Sequence, residues 1–249
     1  MKRTELKENW TLCQIRGDQT QGRIFTVGQM PSQVHDVLIV NKVIENPNIK
    51  GINHDQWVGE SDWRYETTFC LDNAEGSFQL YMEGLDTFAD IYLNGEWIGE
   101  SKSVYMPCRI ADVKGINKGE NRLRLDFKSS VRMTGEIELP EEYREYVPDF
   151  CKARVFRSGF HGFSGPLPNL VRAGVYGRVW LWQTEENGFE DVSLSVRLDE
   201  TMTKGSIEAK IRYCHEVSRQ SLLRFTVRDQ SGNVVSEGCG QAGICGSII

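Results

Sequence analysis

The chain has 249 residues, of which 39% are hydrophobic and 26% charged, with a formal net charge of −6. That balance excludes a disordered or fibrous polypeptide, because enough apolar side chain is present to bury a core. It also argues against nucleic acid or an anionic membrane as partner, since no global positive field draws phosphates in.

The start, "MKRTELKENWTL", has basic residues with no apolar stretch behind them that would serve as a signal core. No later run is long and apolar enough to be expected to cross a bilayer. The seven cysteines, at positions 13, 70, 108, 151, 214, 239 and 245, are odd in number, widely spaced and without a CxxC pair. They are expected to be free, mostly buried thiols of a cytoplasmic, reducing compartment, with neither a disulfide framework nor a zinc site.

Along the chain, apolar and polar residues alternate and aromatic and β-branched types abound, a pattern that predicts an all-β fold. Strands are expected over residues 10–15, 63–71, 78–82, 89–93, 97–99, 121–127 and 175–183. Asn94-Gly95 accepts the positive φ angles of a tight turn and predicts a hairpin. In "PSQVHDVLIVNKV", Ser32 is the expected cap of a short helix whose face carries Val34, Val37 and Leu38. Residues 129–146 are polar, interrupted by Pro140, and expected as a partly helical surface excursion.

At "TEENG" the character changes, which divides the chain into domains 1–184 and 185–249. Strands follow over 189–198, 206–213, 222–228 and 233–237, joined by polar turns such as "DQSGN". An immunoglobulin-like sandwich needs about seven strands. Residues 185–249 are therefore expected to form an incomplete second sandwich.

Catalytic patterns are missing from the sequence. His35-Asp36 and His54-Asp55 are adjacent pairs whose side chains diverge, and no third cluster completes a metal ligand set. There is no GxSxG elbow and no glycine-rich phosphate loop, and 35 acidic residues do not single out a glycosidase pair. No catalytic residue, cofactor site or metal is expected.

Aromatic side chains remain. Trp63, Trp97, Trp180 and Trp182 fall in strand patterns and are expected in the core. Trp57, Trp63, Phe160 and Phe163 also suit the apolar C–H faces of sugars, so for Trp63 both readings stand. The stretch "FRSGFHGFSGPLPN", residues 156–169, is a loop on its prolines and glycines. It carries Phe156, Phe160, His161 and Phe163, apolar surface that must be covered by its own sandwich or by something beyond it.

Three stretches in order, "MPSQVHDVLIVNKVIENPNIKGINHDQWVGESDWRYETTF", "GLDTFADIYLNGEWIGES" and "KGENRLRLDF", resemble the amino-terminal sugar-binding domain of glycoside hydrolase family 2, in its β-mannosidase branch. The resemblance covers about residues 10–182. It implies a jelly-roll β-sandwich, then an immunoglobulin-like sandwich, then a TIM barrel with both catalytic glutamates, which lies outside these residues. In β-mannosidases a loop built on Trp-Asp-Trp and followed by Gly-Pro reaches the barrel mouth, where the Asp holds the terminal sugar. Here "CKARVFRSGFHGFSGPLPNLVRAGVYGRVWLW" keeps the Lys-Ala beginning, Gly165-Pro166 and the closing Gly174-Val175-Tyr176. "FHGF" stands in place of the signature, so the Asp contact does not carry over. By this resemblance Phe160, His161 and Phe163 meet carbohydrate or the missing barrel. The sugar stays open among mannosides, galactosides, glucuronides and glucosaminides, and a freestanding carbohydrate-binding module or a structural domain is an alternative.

Overall fold

The computed structural model describes residues 2–20, 22–46, 54–138, 140–144, 170–184, 189–213 and 222–241. Contacts group the chain into two units, Lys2–Gln183 and Thr184–Ile249. In chain order, β1 (Lys2–Glu5), β2 (Thr11–Arg16), β3 (Ile24–Thr26) and β4 (Ser32–Gln33) lead into α1 (Val34–Val40). Next come α2 (Gln56–Glu60), β5 (Asp62–Leu71), β6 (Ser77–Met82), β7 (Leu85–Asp86), β8 (Phe88–Leu93), β9 (Glu96–Ser101), β10 (Cys108–Ile110) and β11 (Gly119–Lys128). After α3 (Ser130–Gly135) and α4 (Glu141–Arg144) the unit closes with β12 (Gly174–Val175) and β13 (Val179–Thr184).

These strands build an all-β sandwich, as the alternation predicts. One sheet has the order β1-β13-β6-β10, the other β3-β2-β5-β11-β8-β9, and a small third sheet, β4-β12-β7, lies beside them. Every second residue of the central strands points into the core: Trp63 and Tyr65 from β5, Leu123, Leu125 and Phe127 from β11, Ile91 and Leu93 from β8. Leu80, Met82, Val179 and Leu181 face them from the opposite sheet. Tyr65 meets Trp10 and Phe127 edge to face, with centroids 6.4 and 5.6 Å apart. Each such buried side chain contributes about 1.5–3 kcal/mol, which is the main force holding the layers together. On the outer face of the larger sheet, Arg64 pairs with Asp126 and Lys128 with Asp90.

Asn94 (φ 50) and Gly95 (φ 95) turn the β8–β9 hairpin as predicted. The helix also forms, with Val34, Val37 and Leu38 buried beside His35. Its cap is Gln33 instead of Ser32, and the Gln33 backbone N–H donates to the Asp36 carboxylate at 3.2 Å. Ser32 belongs to β4, where its carbonyl accepts from the Tyr65 hydroxyl. The strand predicted over 175–183 is broken, because Gly177 lets the backbone run against Gly84, whose carbonyl accepts from both Tyr176 and Gly177. Trp97, expected in the core, is 56% exposed, since a bulge in the β8–β9 pairing turns it outward opposite Tyr92. Trp180 and Trp182 are half-buried on the outer side of their sheet. Of the described cysteines, Cys70 and Cys239 are exposed and Cys13 and Cys108 half-buried, so for these four the expectation of burial fails.

Among the described residues the second unit contains two antiparallel hairpins, β14 (Phe189–Leu198) with β15 (Gly205–Tyr213), and β16 (Leu222–Arg228) with β17 (Val234–Gln241). Val192, Leu194, Val196 and Leu198 share one exposed face of β14.

Candidate functional site

Phe160, His161 and Phe163 lie outside the described residues. What the structure describes is the base from which their segment leaves the sandwich and to which it returns. The departing limb begins where β11 ends. Ser129 caps α3: its Oγ accepts from the Arg132 N–H at 3.3 Å and donates to the Gly59 carbonyl at 2.8 Å. The Ser129 N–H donates to Asp62 Oδ1 at 2.8 Å. Arg132 then grips Asp62 through Nη2, at 2.8 Å from Oδ1 and 2.7 Å from Oδ2. Asp62 is buried at the first position of β5, so its charge is matched where solvation is poor.

The returning limb lands on the same patch. Gly59 of α2 lies flat under Val171, so close that a Cβ there would come within 2.6 Å of the Val171 side chain. The Ala173 carbonyl accepts from the Val34 N–H at the start of α1. Gly174, at φ +123, then slots β12 between β4 and β7. A Cβ at Gly174 would stand 2.7 Å from the Tyr65 hydroxyl oxygen. Burial pushes that hydroxyl's pKa well above the ordinary tyrosine value, so it remains a donor to the Ser32 carbonyl. Beside it the buried Asp86 accepts from the Thr87 hydroxyl at 2.6 Å and from Gln33 Nε2 at 3.4 Å.

Both limbs therefore rest on α2 and β5, and Gly59 touches each of them. The carboxylates at this base, Asp62 and Asp86, are engaged in holding the fold, which leaves them poorly placed for proton transfer. Among the described residues no group of three His, Cys, Asp or Glu side chains gathers to hold a metal. Trp57, read from sequence as an open ring, lies in α2 and packs at 5.9 Å on Trp63, which is fully buried. Trp63 therefore has no ring face open to a sugar, and Trp57 is half-buried against the core. Sequence reasoning missed Asp62, Arg132, Gly59 and Val171. The one legible hint was Ser129, a good cap ahead of a helical turn.

Apart from Leu6, the first unit's buried core falls inside residues 10–185, as do both limbs, and these residues match the family model for the glycosyl hydrolase 2 galactose-binding domain-like fold. The chain belongs to glycoside hydrolase family 2. This family 2 chain is similar to β-mannosidase B of Thermothelomyces thermophilus, at 30% identity over 242 residues, 93% of this chain and 27% of the relative. It is 29% identical to β-mannosidase B of Emericella nidulans over 212 residues, 82% of this chain and 25% of the relative. Among solved structures, the β-D-mannosidase of Dictyoglomus thermophilum superposes with a TM-score of 0.73 at 23% identity, covering 100% of this chain and 30% of that one. A β-glucuronidase from an uncultured Clostridium gives 0.62 at 18% identity, covering 99% and 39%. The family 2 chain thus spans about a quarter of the length of the β-mannosidase B relatives it matches. It is a β-mannosidase-like amino-terminal region of the family.

Proposed function

We propose that this region shapes the substrate pocket of an exo-acting, retaining β-glycosidase of the β-mannosidase type and is itself non-catalytic. The observation that carries the reading is the pinning of both limbs of the 145–169 segment to one patch of the sandwich. A loop with Phe160, His161 and Phe163 is thereby presented from a fixed base, which suits recognition of a rigid sugar ring. Aromatic faces take the C–H side of the ring and an imidazole exchanges hydrogen bonds with its hydroxyls. Bond cleavage in a retaining enzyme requires two carboxyl groups about 5–5.5 Å apart, supplied in this reading by a TIM barrel on the same polypeptide.

Two assays test this. Pure 1–249 chain is expected to leave aryl β-glycosides intact, and robust hydrolysis by it would overturn the reading. In the longer enzyme, F160A and H161A are expected to raise KM for the preferred glycoside, and unchanged kinetics in both would remove the loop from the pocket. A β-glucuronidase-type substrate is a second reading, favoured by the Clostridium superposition and the missing Trp-Asp-Trp; paired rates on aryl β-mannoside and aryl β-glucuronide decide between them. We also propose a cytoplasmic location, supported by the free thiols of Cys13, Cys70, Cys108 and Cys239 and checked by cell fractionation.

A further inference from the structure

The outer face of the six-stranded sheet carries a row in which two rings stand beside hydrogen-bonding groups that the fold leaves unused. The strand registers set Trp97 of β9 opposite Tyr92 of β8, Tyr92 opposite Arg124 of β11, and Arg124 opposite Glu66 of β5. Strands stand about 4.7–4.9 Å apart, so the row is about 14 Å long, room for a short oligosaccharide laid across the strands. All six tryptophans are among the described residues, and Trp97 alone is exposed, at 56%. The bulge between Ile91 and Tyr92 brings it to this side. The Arg124 guanidinium lies on the Tyr92 ring, its Cζ 3.8 Å from the centroid.

The charged members of the row keep hydrogen-bonding capacity in hand. Arg124 Nε is 3.5 Å from Asp126 Oδ2, but that carboxylate already accepts from Arg64 at 2.7 and 2.9 Å. Glu66 has Arg122 Nε at 3.8 Å, beyond hydrogen-bond reach. Among the described residues the Arg124 guanidinium donates no hydrogen bond and the Glu66 carboxylate accepts none, although their side chains are 26% and 32% exposed. A guanidinium stacked on a ring keeps its N–H edge turned away from that ring, so stacking does not use up its donors. The pairs Arg64–Asp126 and Lys128–Asp90 cancel charge alongside, so no net field selects a charged ligand. A stable protein partner needs about 800 Å² per side with an apolar centre, whereas this row offers one exposed ring bordered by charged groups. A pyranose suits it better, because its C–H face is apolar while its hydroxyls both donate and accept.

We propose that this row binds a neutral glycan laid across the strands: one pyranose stacks its C–H face on Trp97 with Tyr92 at its edge, and hydroxyls further along accept from Arg124 and donate to Glu66. This site goes beyond the loop reading and shares no residue with it. The test titrates the 249-residue chain with β-1,4-mannotriose, with cellotriose and, as a non-sugar control, with tri(ethylene glycol), followed by tryptophan fluorescence and calorimetry. At least one trisaccharide is expected to bind, with a blue shift of the emission as the exposed indole is covered. W97A is expected to weaken binding about ten-fold, the loss of one covered ring face, whereas W97F keeps a ring to stack on and stays within about three-fold of the parent; both lose the blue shift. E66Q is expected to weaken binding about five-fold, while added salt leaves the parent's affinity unchanged because the ligand is neutral. F160A leaves binding unchanged, and melting curves matching the parent confirm that these variants fold. No binding of either trisaccharide, equal binding of the glycol, or indifference to W97A overturns the proposal. Binding lost in F160A but kept in W97A belongs to the loop and overturns it as well. A concentration-dependent dimer abolished by W97A gives the face to a second copy and overturns the assignment to a glycan. Binding sensitive to W97A in a chain whose longer enzyme is indifferent to F160A and H161A upholds this site while refuting the pocket reading.

Discussion

The Asp62–Arg132 pair is the joint between the sandwich and the long connection, so removing it tests whether the connection has a fixed base. In Asp62→Ala the Ser129 N–H and the Arg132 guanidinium both lose their acceptor. Breaking a buried pair by deleting one partner costs about 3–5 kcal/mol. The Arg132 side chain is 29% exposed and recovers some hydration, so the lower end, about 3 kcal/mol, is expected. For a domain of this size that corresponds to roughly 6–12 °C in Tm. Arg132→Ala should cost less, about 1–2 kcal/mol, because Asp62 keeps the Ser129 N–H and lies near enough to the surface to gain water. Urea unfolding of both single variants and the double variant gives the coupling, expected at about 1.5 kcal/mol or more. Limited proteolysis of Asp62→Ala should nick residues 139–169 under conditions where the parent stays whole. Stability within about 0.5 kcal/mol of the parent, or strict additivity of the two substitutions, would refute the reasoning.

Three further outcomes are expected. Gly174→Ala should lose about 1–3 kcal/mol, since φ is +123 and the new Cβ meets the Tyr65 hydroxyl; Gly95→Ala, with open space around it, should lose less in the same denaturation assay. Trp63→Phe removes the N–H that donates to the Val58 carbonyl in the core and should cost about 1–3 kcal/mol, whereas Trp182→Phe deletes a buried donor without an acceptor among the described residues and should stay within about 1 kcal/mol of the parent. Burial alone pushes the Glu83 carboxyl up, but hydrogen bonds from Trp180 and Arg178 outweigh it and hold the group below its ordinary value of 4.5. Its contribution is therefore complete above that ordinary value and lost as pH falls through the lower folded one, so Glu83→Gln should flatten the acid limb of a Tm–pH profile.

Where a single local requirement acted, the sequence was readable. The predicted strands 189–198 and 222–228 coincide with β14 and β16, because turn residues bound them sharply and the alternation is regular. Asn94-Gly95 was readable because few other pairs accept two positive φ angles in succession. Elements held by distant partners were not. β1, "KRTE", has no apolar residue; it exists because it pairs with β13 and lays Arg3 on Trp182. α2 is five residues long, too short for a helical period, and is held by Trp57 on Trp63 and by the two limbs that meet at Gly59. Trp97 was misplaced because one bulge shifts the face of an edge strand, and alternation counts residues without seeing bulges.

The candidate site divides along the same line. Phe160, His161 and Phe163 stand out by composition alone, since rings among glycines and prolines are legible one residue at a time. The residues that anchor the two ends of their segment are ordinary by that measure. Asp62 and Arg132 are 70 positions apart, and neither is unusual until the fold makes one the partner of the other. Rings set among glycines and prolines say nothing of how the segment is anchored at its two ends. The ends are where this chain puts a buried carboxylate with three hydrogen bonds and a glycine that admits the returning backbone. In the proposed reading, recognition chemistry and its positioning are carried by different residues, and only the first kind announces itself in sequence.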